Sequence, residues 1–148
     1  MKLIELRPPR IAMVLTGFAA LMSRLIGSGV RLSVPWLGVV LGVTGLVVML
    51  WPWWLFRKEG LPICPTADTA HIITTRGPYR LSRHPMYAGM VLMMAGIAVH
   101  VGTIPFYLSA VVYFAILNFV FCPFEENKLT IAFGESYTDY MKRVGRWL

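Results

Sequence analysis

Residues 34–56 form a run of 23 residues without a charge. A helix rises about 1.5 Å per residue, so this run is long enough to cross the roughly 30 Å hydrocarbon layer of a bilayer. A helix apolar on every face has no solvated side, which favours a membrane or a large protein interior over the surface of a small domain. Three further apolar stretches follow the same logic: residues 11–30, interrupted by Arg24, residues 86–101 and residues 104–122. Only Gly102 and Thr103 separate the last two, and Pro105 opens the next helix, so the pair reads as a tight helical hairpin. The 86–101 stretch is short and reads as tilted or partly embedded. Composition agrees, with 57% of the 148 residues hydrophobic and 14% charged. That leaves too little polar surface to cover a soluble domain of this size. The expected fold is an all-α integral membrane protein of about four transmembrane helices. It forms a single domain over 1–148, with two N-terminal spans in 1–58.

The net charge of +7 would suit a nucleic-acid partner if the cations formed a stripe, but they sit at the ends of the apolar runs. Lys2, Arg7 and Arg10 precede the first span, and Arg57, Lys58, Arg76, Arg80 and Arg83 lie between the second and third. Lys128, Lys142, Arg143 and Arg146 follow the fourth, while the other side holds only Arg24 and Arg31. By the positive-inside bias, both termini are expected in the cytoplasm, with lipid rather than nucleic acid as partner. Trp51, Trp53 and Trp54, followed by Arg57 and Lys58, read as an interfacial belt at a cytoplasmic end. Gly38, Gly42 and Gly45 fall near one helical face and suit close helix packing rather than phosphate binding. Cys64 and Cys122 share no metal or redox spacing and read as small hydrophobes. The N-terminus superficially resembles a signal peptide, but Ser23-Arg24 interrupts the run and no small-x-small site follows. We expect a retained span.

Polar residues concentrate in 57–87 and from Glu125 onward. A hairpin returns the chain to its starting side, so Arg83-His84-Pro85-Met86-Tyr87 is expected to meet Pro123-Phe124-Glu125-Glu126. His84-Pro85 alone would read as a helix start and Glu125-Glu126 as solvated acids. Arg80, Arg83, Tyr79 and Tyr87 around His84, and acids on the side reserved for cations, favour a site. The run 133–140 reads as a helix end, a turn and an amphipathic helix on the membrane surface.

The stretch RGPYRLSRHPMYAG (76–89) resembles the G-x-Y-x-x-x-R-H-P-x-Y-x-G signature of the isoprenylcysteine carboxyl methyltransferase family, much of which related membrane phospholipid methyltransferases share. EENKLTIAFGESYTDYMKRV (125–144) resembles the same family's ending. The resemblance covers about residues 60–148 and marks 59–148 as a methyltransferase core with the hairpin and a C-terminal amphipathic helix. It implies an S-adenosylmethionine site on the cytoplasmic face, contacted by His71, Ile72, Ile73, Thr74, Tyr79, His84, Pro85, Met86, Tyr87 and Glu125. The zwitterionic methionine end of that cofactor suits Arg83 and Glu125 or Glu126, and its sulfonium suits tyrosine faces and a carboxylate. The chain has none of the glycine-rich turns of soluble nucleotide-binding sheets.

Methyl transfer needs alignment and water exclusion more than acid–base groups. No catalytic dyad and no metal are expected, only positioning by Tyr87, Glu125 and Arg143. The acceptor is expected to be lipophilic, entering from the lipid side, with the cofactor entering from the cytoplasm. One position departs from the family: the arginine that holds the acceptor carboxylate in the prenylcysteine enzymes is Phe121 here, leaving Arg80 or Arg143 for that task. Two rival readings are an NADPH-dependent reductase of the sterol-reductase type and a non-catalytic membrane scaffold. The reductases' motif continues with an acid where Met90 stands, and an intact set of His71, Tyr79, His84, Tyr87 and Glu125 argues against a scaffold.

Overall fold

The computed structural model describes residues 7–26, 31–58 and 77–147, and every regular element among them is helical. The helices are α1 (Pro8–Leu25), α2 (Pro35–Lys58), α3 (Pro85–Val101), α4 (Ile104–Ile116), α5 (Cys122–Phe133) and α6 (Glu135–Arg143), with a 3-10 turn at Gly77–Arg80 before α3. Prolines open α1 to α4, in the first turn where their missing N–H would have had no partner.

Glycines bring α2 and α3 into backbone contact. A methyl group added to Gly38 would lie 2.7 Å from Gly96 O, and one on Gly89 would lie 2.5 Å from Met49 N. No side chain fits at such an approach, so the helices pack antiparallel through bare backbone, as small-residue membrane interfaces do. The glycine stripe read from the sequence is therefore a packing surface. Its partners are Gly89 and Gly96 on α3.

The α3–α4 turn closes on Gly102, whose φ of 75° is left-handed and whose N–H caps Ala98 O at 2.7 Å. The connector 31–34 lies against this turn, with Leu32 N donating to Gly102 O at 2.8 Å and Tyr107 Oη to Leu32 O at 2.6 Å. Ser23 Oγ and Thr103 Oγ1 share a hydrogen bond of 2.8 Å. At the other end Tyr113 Oη donates to Pro8 O at 3.3 Å, and Gly77 sits against Leu55. The four helical rods thus alternate in direction, and the expected hairpin is present.

Between α4 and α5 the rod passes through a π-helical turn, Leu117–Phe121, in which Cys122 N–H reaches back to Leu117 O. In that register the next carbonyl, Asn118 O, faces Pro123, which has no N–H to give. An unpaired carbonyl inside a helix needs another donor. Arg146 Nη1 supplies one at 3.3 Å.

Pro35–Leu55 and Ile104–Phe133 are long and apolar enough to cross a membrane. Only 17% and 28% of their apolar windows are buried, unlike the core helix of a soluble protein. Helix α3 is apolar but has 17 residues, and α1, carrying Arg10 and Arg24, does not reach the same apolarity. Phe18, Val39, Val43, Val47, Val111 and Phe119 stand exposed around the rods, an apolar belt larger than water tolerates. The buried core is narrow and centres on Tyr87, Tyr113, Leu117, Phe121 and Cys122.

Candidate functional site

The start of α3 and the start of α5 meet at the end of the molecule opposite the hairpin turn. His84 stands immediately before α3, buried, its ring stacked 5.6 Å from that of Tyr87 with 5° between the planes. Tyr87 donates its hydroxyl to Glu125 Oε1 at 2.5 Å. The two nitrogens of His84 face different acids: Nδ1 lies 3.5 Å from Glu125 Oε2 and Nε2 lies 3.3 Å from Glu126 Oε1. A doubly protonated ring donates to both carboxylates, a neutral one to a single acid.

The paired acids have different surroundings. Glu126 is buried, approached by Arg83 Nη1 at 3.2 Å and held by the fork of Arg146, Nε at 2.9 Å from Oε1 and Nη2 at 2.6 Å from Oε2. Glu125 keeps 42% of its side chain exposed and bonds only to neutral or titratable partners among the described residues. Glu125 is the acid left available to a cation. Arg83 Nε is buried and has no hydrogen-bond partner among the described residues, a position that calls for an acceptor.

Helix α6 roofs this cluster. It buries Tyr137 and Tyr140 and turns Glu135, Ser136, Asp139, Lys142 and Arg143 to the outside. Tyr140 Oη donates to Tyr79 O at 2.7 Å, which ties α6 to the 3-10 turn. Burial pushes the Tyr137 phenol up to about 12 and holds Tyr79 and Tyr140 well above the usual phenol range. All three stay neutral at physiological pH, as an unperturbed phenol also does.

Residues 33–136 match the phospholipid methyltransferase family. The chain belongs to this family. The match takes in more than two thirds of the chain, and the family shares its group with the isoprenylcysteine carboxyl methyltransferases that the motifs resemble. It implies methyl transfer to membrane lipids. No curated protein and no solved structure shows significant similarity to the chain.

Of the residues singled out from the sequence, the fold brings Arg83, His84, Tyr87, Glu125 and Glu126 into one cluster. Pro85 is buried as the opening residue of α3 and Met86 is half-buried beside it, while Tyr79 is buried under α6. His71, Ile72, Ile73 and Thr74 lie outside the described residues. Arg143 stands apart from the acids, exposed, with Nε donating to Asp139 O of its own helix at 3.2 Å. Phe121 lies edge-on to Tyr87, ring centres 6.5 Å apart, and Arg80 is exposed.

The sequence reading passed over Arg146, Asn118, Ser82 and Trp147. Trp147 Nε1 donates to Asn118 Oδ1 at 2.9 Å, and Ser82 Oγ donates to Arg146 O at 3.0 Å. The available signal was an acid pair beside a helix end with more cations downstream than topology requires, Arg146 among them.

Proposed function

We propose that the protein transfers the methyl group of S-adenosylmethionine to a lipid acceptor at the cytoplasmic surface of a membrane. Glu125 carries the reading. It is a half-exposed carboxylate held at the edge of two stacked aromatic rings, with no arginine or lysine paired to it among the described residues. That surrounding suits a cation that is itself apolar on most sides, such as a sulfonium.

The donor set fits the rest of the cofactor. The unfilled N–H of Arg83 suits its carboxylate. We assign Tyr79, His84, Pro85, Met86 and Tyr87 to the wall of the same cleft and His71, Ile72, Ile73 and Thr74 to its remaining side. When bound, the donor supplies an electrophilic methyl group that a nucleophile displaces in line. The protein's part is to fix that methyl group through Glu125 and Tyr87 and to keep water out beneath α6. Glu126, paired with two guanidiniums, braces the site rather than facing the ligand.

Four spans with both chain ends in the cytoplasm complete the reading. The rods alternate, and the site end carries Arg57, Lys58, Arg80, Arg83 and the α6 cations, against Arg24 and Arg31 at the far end. A cavity of about 520 Å³ opens between the helices, lined by Met13, Met49, Met90, Met93, Met94 and Tyr113. Its size is that of a small-molecule site, and thioether walls adapt to flexible chains. Tyr113 joins it to the core beneath Tyr87. We assign it to the acceptor's hydrocarbon chain, entering from the lipid side. The apolar ring of Phe121 beside Tyr87 favours an acceptor head without a carboxylate.

Titration of the detergent-purified protein with S-adenosylhomocysteine and with NADPH tests the cofactor. Saturable binding of the first and none of the second is expected; NADPH binding alone, or neither, overturns the reading. Incubation with labelled donor and amine-headed phospholipids or prenylcysteine then tests the acceptor. A preference for the prenylcysteine carboxylate would contradict the role given to Phe121.

A further inference from the structure

We propose that Arg146 is a positioning residue for methyl-donor binding, acting through Glu126 and His84 to set the place of the Glu125 carboxylate. The inference rests on the methyltransferase reading above and assigns a task within it to a residue that touches neither substrate.

The contacts run in one line. Arg146 forks onto both oxygens of Glu126. Glu126 Oε1 meets His84 Nε2 at 3.3 Å, and the far nitrogen of the same ring meets Glu125. The ring plane is held by its stack on Tyr87, which in turn donates to Glu125. Glu125, half-exposed on the first turns of α5, has few other restraints. Its place depends on a ring whose own place depends on Glu126.

Arg146 is itself anchored. Its Nη1 fills the carbonyl of Asn118 that Pro123 leaves open, and Trp147 holds the Asn118 side chain while its ring packs tilted against Phe114, centres 5.1 Å apart. The backbone beside it pairs with the segment before α3: Arg83 N donates to Gly145 O at 3.0 Å, and Ser82 Oγ bonds both Arg146 O and His84 N. A bidentate guanidinium fixes a carboxylate in angle as well as distance, which a lysine point charge does not.

Charge alone makes the opposite prediction. Removing the Arg146 cation makes the site one unit more negative, and by Coulomb's law a sulfonium would then bind more tightly. Positioning predicts that it binds less tightly. The neutral product S-adenosylhomocysteine separates the two further, because a change of field acts on the sulfonium and a displaced carboxylate disturbs the whole pocket.

The test is calorimetric titration of the full chain in detergent with S-adenosylmethionine and with S-adenosylhomocysteine, with melting temperatures read in parallel. Arg146→Met is expected to weaken both ligands about tenfold or more. Glu126→Gln shifts the charge the other way and is expected to weaken both as well, since it breaks the same link. Arg146→Lys is expected to recover part of the loss. Should Arg146→Met fail to fold, the lysine and glutamine variants carry the comparison. Tighter S-adenosylmethionine binding in Arg146→Met, or affinities within about twofold of wild type beside a lowered melting temperature, would overturn the positioning role alone. Wild-type protein that binds neither ligand would overturn the methyltransferase reading, and this inference with it.

Discussion

Glu125 and Glu126 are adjacent in sequence and unlike in chemistry. Two guanidiniums fork onto or approach Glu126, whereas Glu125 meets a phenol and one imidazole nitrogen and stays half-exposed. Glu125→Ala is expected to lower S-adenosylmethionine affinity roughly a hundredfold with the fold intact in detergent, because it removes the carboxylate that faces the sulfonium. His84→Ala is expected to match it, since both acids lose the ring that lies between them; calorimetry beside a melting curve reads both outcomes. Wild-type affinity in the two variants would dissolve the proposed site. The residue types at 83–87 and 125–126 were legible because the motif places them at the two mouths of a hairpin. Arg146 was not. The chain leaves α6 at Val144 in an extended conformation, so a cation three residues beyond Arg143 turns back to the acids while Arg143 stays on the outer face. Helical periodicity contains no information about that exit.

The α2–α3 pair is the element on which the site stands, since it sets where α3 begins. Its contact is backbone against backbone, and a substitution is tolerated only where the added carbon points away from the partner helix. Gly89→Leu and Gly96→Leu place atoms where Met49 N and Gly42 N already lie, at 2.5 and 2.6 Å from the first added carbon. Each is expected to destabilise by about 1–3 kcal/mol or more, read as a lower unfolding midpoint in detergent. Gly42→Ala, whose added carbon meets nothing within 4 Å, is expected to leave stability unchanged or raise it by up to about 1 kcal/mol through helix propensity. Equal losses at all three positions would refute the backbone-contact account. The stripe on α2 was readable from spacing, whereas the partners on α3 were read only as part of a motif and an apolar run.

For the whole molecule, the alternating rods put the cluster, the tryptophan belt and most of the cations at one end. Single cysteines introduced in a cysteine-free background are expected to report this sidedness. Lys128→Cys should react with an impermeant maleimide only from the cytoplasmic face, and Leu32→Cys only from the opposite face. Labelling of both from one side would remove the four-span topology and the cytoplasmic placement of the site with it.

Sequence alone determined the helical class, the hairpin, the glycine stripe and the residues at the hairpin's two mouths. These follow from local rules: apolar runs measured against bilayer thickness, prolines at helix starts, and a turn too short to do anything but reverse the chain. Only the tertiary structure decided which acid is neutralised, which guanidinium does it and how Asn118 O is satisfied. Those outcomes depend on where a π-helical turn rotates α5 and on how the segment after α6 folds back. Both are set by packing between elements far apart in the chain, which no window of sequence contains.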